Sequence, residues 1–355
     1  MRAVLLLTTL AAIVLGGALR PAAATRSLSF LASDLTPTAA FKDGSLRSGT
    51  GLTQLAKSSW GGRIRAADGE LVTIYLSDTY PVDPAVQQSA ADFLTELYHG
   101  TELSTVSVYL APLAEVQSVC GTGAGGCYSH DRVVSTGDAL PDGTSAVNVL
   151  AHEYGHHVAA TRDNAPWDAL DWGPKRWATA AKICSRTASG TAFPGDEGIN
   201  YQLNPGEGWA EVYRLLNFLK QAWPSWLLTN WRIVDESFYP DAVALEAARA
   251  DVLQPWVGPQ SRTWAARLRN IAAKGKPPRV PPIRTRIAVR LDGDLTVRLQ
   301  RAPAGTTMSL ATLGGKVIVP AVHNVLRTTF CGRRQFVLVV RAKKPGAFAA
   351  TILTP

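Results

Sequence analysis

The chain has 355 residues, of which 46% are hydrophobic and 18% charged, and a formal net charge of +8. That length exceeds one ordinary domain and can bury a sizeable core, and the composition excludes a disordered or fibrous protein. The basic residues are dispersed apart from runs at 274–286 and 333–344, with no stripe interleaved with aromatics, so nucleic-acid binding is not expected.

The chain opens on "MRAVLLLTTLAAIVLGGALRPAAAT", with Arg2, an apolar stretch from Ala3 to Leu19 and a small-residue exit at Ala22–Ala24. This is the pattern of a secretory signal over 1–24, cleaved after about Ala24, with an uncleaved anchor as the alternative. Cleavage removes Arg2 and Arg20 and leaves +6 of the +8. No later segment is long and apolar enough to span a bilayer, so the mature protein is expected to be soluble and extracellular. A Ser/Thr/Gly-rich lead-in runs to about residue 58.

Glu70 to Asp78 is rich in β-branched residues and predicts a strand. A helix follows from Pro84, with Val86, Ala90, Phe93, Leu94 and Leu97 on one face and Gly100 as a stop. "STVSVYLAP" is a second strand, "CYSHDRVVSTG" a third, and the polar turn "DALPDGTS" leads to a helix from Ser145 to Arg162. That order fits an α+β domain. The second half reads as helical at about 174–187, 205–222 and 241–253, with a further helical piece near 260–273. Residues 274–283 hold four prolines and read as a semi-rigid linker. From 284 to 355, short alternating stretches separated by "DGD" and "LGG" turns predict a small all-β, sandwich-like module.

Four cysteines in an exported chain point to disulfides. Cys120 and Cys127 bracket the flexible loop "GTGAGG" and are expected to form a local bridge. Cys184 and Cys331 remain, either as a second bridge stapling two domains or as two buried thiols.

The chemistry is concentrated in "AHEYGHHV". His152 and His156, at i and i+4, project from one helix face and can grip one cation, and Glu153 can reach a water bound there. Chance gives about 0.003 HExxH matches in a chain of this composition. Hydrolytic zinc usually takes three protein ligands and leaves a position for water. The third candidate is in "NPGEGWAEVY", where Asn204 suits an N-cap, Pro205 the first helical position, and Glu207 and Glu211 share one face. Read blandly, Glu207 completes a capping box with Asn204.

"HEYGHH" followed by "EGWAEVY" resembles the gluzincin-type zinc metallopeptidases, in which HExxH is followed by a glutamate on a second helix. The resemblance covers about 20 residues and implies His152, His156 and Glu207 as ligands of one Zn2+, Glu153 as general base and Glu211 as a carboxylate orienting a ligand histidine. It also implies an α+β zincin-like catalytic domain over 25–273, with a mixed sheet and a helical lower half, followed by the all-β module. The metzincin pattern is not met, since Ala159 and Arg162 stand where it needs Gly and His.

The expected function is therefore that of a secreted zinc peptidase acting on protein or peptide, with cell-envelope contact through the C-terminal module. The alternative is a secreted binding protein on a non-catalytic zincin fold. Tyr213, Tyr239, His157 and Arg214 are the available donors for an oxyanion, with His157 most simply an exposed neighbour. His130 reads as a surface residue, and the tryptophans as core.

Overall fold

The structure is a computed structural model that describes residues 42–43, 58–221 and 233–355. The signal segment 1–24, most of the lead-in and the tryptophan-rich stretch 222–232 lie outside the described residues. Among the described residues no helix is long and apolar enough to cross a membrane.

A six-stranded mixed sheet has the order β1 (Lys42–Asp43), β5 (Ala124–Ser129), β6 (Arg132–Thr136), β4 (Ser107–Ala111), β3 (Leu71–Ser77), β2 (Ser59–Arg65). Strands β3, β4 and β6 pair in parallel, β2 and β5 join antiparallel, and β1 lies parallel to β5. In β3, Val72, Ile74 and Leu76 are buried and Leu71, Thr73 and Tyr75 half-buried, as expected of a strand with one face on the core, and Ser77 at its end is buried as well. The single strand expected from "CYSHDRVVSTG" is instead the hairpin β5–β6. His130 and Asp131 both adopt positive φ, +48° and +61°, the conformation of a tight two-residue hairpin turn. His130 is exposed there, as expected.

The helices follow the sequence with local corrections. Helix α1 (Pro84–Glu96) starts at a proline and is capped by Asp83, whose carboxylate accepts from the Ala85 N–H at 2.9 Å. Helix α2 (Leu113–Cys120) was not expected; it ends in the Cys120–Cys127 bridge to β5. Helix α3 (Ala146–Ala160) packs on β5 and β6 and, on its other side, on α7 (Pro205–Lys220). It is buried all round from Ala146 to Ala159, so its apolar run reflects a central helix. The helix expected at 174–187 is two, α5 (Lys175–Ala180) and α6 (Ile183–Ala188), broken at Lys182 with φ +59°. Short α4 (Ala169–Trp172) precedes them and α8 (Ala242–Leu253) follows α7.

Beyond α8 the chain is all-β. Two four-stranded antiparallel sheets form, β10 (Ile283–Val289), β15 (Arg334–Arg341), β12 (Thr307–Thr312), β13 (Val317–Val322), and β14 (Val325–Phe330), β11 (Gly293–Arg301), β16 (Gly346–Thr354), β7 (Gln260–Leu268). Their inner faces share a core that includes Leu295, Val297, Leu310, Leu338, Phe348 and Ile352. Two expectations are corrected here. The helical piece near 260–273 is strand β7, paired with β16 along its whole length, with Trp264, Ala266 and Leu268 turned to that core. An Ala/Leu-rich run satisfies both periods, and only the partner strand decides between them. The segment 274–283 contains β9 (Lys276–Arg279), which pairs with β8 (Ile271–Ala273) in a hairpin, so the all-β region begins at Gln260. Proline is tolerated at such edges, which is why Pro277 and Pro278 can lie within β9.

The two parts are joined through α5 and α6. Cys184 and Cys331 form the second bridge, and the Asp292 N–H donates to Thr179 Oγ1 at 2.9 Å. Lys175 is fully buried between them. Its ammonium donates to the Ala165 carbonyl at 2.5 Å and lies 4.7 Å from the centre of the Trp256 ring. Burial pulls the Lys175 pKa down to about 8, while the unfolded chain holds this proton to about 10.4. Between those values the unfolded state binds more protons, so this group makes unfolding harder as pH rises. Denaturant titrations from pH 8 to 9.5 should show that rise in the wild type and its loss in Lys175→Met. Equal slopes would exclude Lys175 as its source.

Candidate metal centre

The centre is made by two helices crossing at a glycine. Trp209 Nε1 donates to the Gly155 carbonyl at 2.8 Å, and a methyl on Gly155 would lie 3.0 Å from Ala210 Cα and 3.3 Å from its carbonyl oxygen. Gly155 costs α3 about 1 kcal/mol of helix propensity and lets α7 approach backbone to backbone. Gly155→Ala is therefore expected to lower stability by about 1–3 kcal/mol, against its helix propensity, because the α3–α7 contact is overpacked. It should also weaken divalent-metal binding, since α7 carries Glu207. A melt with unchanged or raised stability would show that the crossing can relax.

Each side chain has a local reason for its place. His152 and His156 sit one turn apart on the α3 face toward α7. On α7, Asn204 Oδ1 caps the helix by accepting from the Gly206 N–H at 3.0 Å, and Pro205 occupies the first position. Glu207 therefore enters in the first turn. Its carboxylate does not close a box with Asn204. It turns instead to the two histidines, with Oε2 3.2 Å from His152 Nε2 and Oε1 3.4 Å from His156 Nε2. The two histidine Nε2 atoms are 3.3 Å apart.

These three residues are buried, and their ligand atoms all lie within 4.8 Å of one another. A four-coordinate ion with bonds of about 2.0–2.1 Å at tetrahedral angles places its ligand atoms about 3.3–3.4 Å apart. The His–His separation and the nearest His–carboxylate separations, one to each oxygen of Glu207, are close to that spacing. Behind His152, Glu211 Oε1 is 2.9 Å from Nδ1. An ionised carboxylate only accepts, so Nδ1 carries the proton and the Nε2 lone pair points toward Glu207 and His156. The two imidazoles and the Glu207 carboxylate face one another, and the group can hold a metal ion.

The electrostatics agree. Burial alone would raise the carboxyls, but the imidazoles of His156 and His152 outweigh it and hold Glu207 well below the ordinary carboxylate range. Glu211 is pulled down to about 2, chiefly by Arg214 and His152, against the same burial. Burial opposes charge on His152 as well, yet its bonds to Glu207 and Glu211 raise its pKa. The site is thus built to keep two anions and to draw positive charge between them.

Glu153, one residue from His152, is fully buried and lies against β5: a Cβ on Gly126 would come 2.5 Å from its Oε1. Of the donors considered from sequence, Arg214 stands behind the site. Its Nε and Nη2 donate to the two oxygens of Glu211 at 3.1 and 2.7 Å, and Nη1 donates to Asn148 Oδ1 at 2.7 Å. Tyr213 is buried, donating to the Tyr98 carbonyl at 2.5 Å. His157 is not exposed but buried, its Nε2 2.9 Å from the Glu102 carbonyl, and burial lowers its pKa. Tyr239 is exposed at the surface. Among the described residues Tyr201 also reaches the site, its hydroxyl donating to Glu207 Oε2 at 2.9 Å. Nothing in its spacing from the motif had singled it out. Of the tryptophans, Trp177 and Trp209 are core, whereas Trp167 and Trp172 stack on each other at 4.7 Å and stay half-exposed.

Compared with known proteins, the chain matches no family model and no curated protein sequence.

Proposed function

We propose that the chain is an exported zinc peptidase of the gluzincin type, with His152, His156 and Glu207 holding one Zn2+. The observation that carries this reading is the convergence of His152 Nε2, His156 Nε2 and the Glu207 carboxylate, with contacts of 3.3 Å between the imidazoles and of 3.2 and 3.4 Å to the two oxygens of Glu207, while buried Glu153 follows His152 on the same helix. A zinc ion bound there supplies a Lewis acid for a peptide carbonyl and acidifies water. Glu153 is the base: its carboxylate, confined against Gly126, takes a proton from water and returns it to the departing amine. Glu211, clamped by the Arg214 fork, fixes the tautomer and orientation of His152. The Tyr201 hydroxyl holds one oxygen of Glu207. Two disulfides, Cys120–Cys127 and Cys184–Cys331, support an oxidising, extracellular setting.

The test is hydrolysis of an unfolded protein substrate by the full chain before chelation, after it, and after zinc is returned. Activity should vanish on chelation and return with about one zinc per chain. Activity that survives chelation would overturn the reading. No activity with one zinc bound would leave a metal-holding, non-hydrolytic binding protein.

A further inference from the structure

The all-β region that starts at Gln260 and the rest of the chain carry opposite charge. Residues 260–355 hold 18 Lys and Arg against two Asp, a formal +16. The rest of the chain, with 18 Lys and Arg and 26 Asp and Glu, carries −8. The two acids of the basic part are withdrawn from the surface. Asp292 is buried and accepts from the Gly332 N–H, and Asp294 is engaged by Arg327 and Thr329. Among the described side chains of this region the basic ones are exposed, and Arg327 alone of them has an acidic partner within 4.0 Å. So dense a like charge opposes folding by self-repulsion, and neutralising structural ion pairs are what a purely structural module would show.

The arrangement narrows the partner. On β10, Arg284 and Arg286 alternate with buried Ile287 and Val289 and so stand on the outer face of one sheet; on β11, Arg298 stands on the outer face of the other, with Arg301 at its exposed end. Packed sheets are about 10 Å apart, so these groups point away from each other across the sandwich. A flat bilayer reaches one side, whereas a flexible chain reaches both. Guanidinium carries most of the charge, and its planar fork suits phosphate. The region's four aromatics offer no stacking platform: Phe330, Phe336 and Phe348 are buried, and Trp264 packs edge-on to Phe348 at 4.8 Å. Nucleic-acid bases therefore add nothing to recognition here.

We infer that the all-β region docks the protein on a linear phosphodiester polyanion that lacks bases, read through its backbone charge from both faces of the sandwich. The acidic part of the chain is repelled by the same polymer and faces away from it. This stands apart from the peptidase reading, and Glu153→Gln should leave the docking unchanged.

The experiment measures binding of the full chain to poly(glycerol phosphate) at 50 and 200 mM salt, beside a neutral dextran, a single-stranded oligonucleotide of matched charge and phosphatidylglycerol vesicles. Four phosphate contacts at a slope of about 0.7 each predict about 50-fold weaker binding at the higher salt. The combined variant Arg284→Gln, Arg286→Gln, Arg298→Gln, Arg301→Gln, with a melt matching the wild type, should bind at least about tenfold more weakly. No binding at 50 mM salt, equal binding of dextran, or a variant as tight as the wild type would overturn the inference. Tighter binding of the oligonucleotide would instead assign the surface to nucleic acid. Tighter binding of vesicles would assign it to membrane, with the exposed apolar edge of Leu313, Val317 and Ile318 as the insertion point.

Discussion

Glu153→Gln is expected to reduce hydrolysis of a protein substrate by about 10²–10⁴-fold or more while the chain keeps its zinc. Glutamine has the shape of glutamate, so it fits the space against Gly126 in which Glu153 is confined. It cannot accept a proton from water and release it again. The fold should hold, since a buried carboxylate is exchanged for a neutral group of equal size. Gly126→Ala makes the same point from the other side: its methyl would fall 2.5–2.8 Å from the carboxyl of Glu153 and displace it. Rates measured beside zinc content decide the matter. A Gln variant that retains activity removes Glu153 from the chemistry, and one that loses zinc shows that the substitution acted on the ligands.

Glu207→Ala carries the second large effect. Structural zinc sites bind with about 10–16 kcal/mol in all, so one ligand of four is worth about 10²–10³-fold in affinity. Its removal also leaves Tyr201 without its acceptor and two histidines facing an emptied corner. Glu211→Gln touches the metal only through His152 and should cost less, about 10–100-fold. Metal analysis of the purified wild type and both variants tests the order. Zinc bound equally by wild type and Glu207→Ala would place the third ligand elsewhere.

The trio His152, His156 and Glu207, which could hold a metal ion, was legible because two of its members are local. The i, i+4 spacing fixes His152 and His156 on any helix, and the Asn204–Pro205 start fixes the turn that presents Glu207. What the spacing could not say is that α3 and α7 touch; that rests on Gly155, which reads in one dimension only as an unfavourable helix residue. Tyr201 and the Asn148–Arg214–Glu211 chain were illegible for a similar reason, being brought together across 66 residues or by a 3-10 turn with no periodic pattern. The β7 segment predicts a helix because its alanines fit either period, and a boundary at 284 divides the basic residues of the all-β region between two parts of the chain. His157 looked like an exposed neighbour because helical position says nothing about which loop covers it.

The bridge between Cys184 and Cys331, 147 positions apart, makes the chain between them a covalent ring. That ring contains Glu207, Glu211 and the connection at 254–259 between α8 and β7. A single backbone cut anywhere within it releases no fragment. A chain cut once within this ring would persist as one particle, its two pieces held together until a reductant opens the bridge.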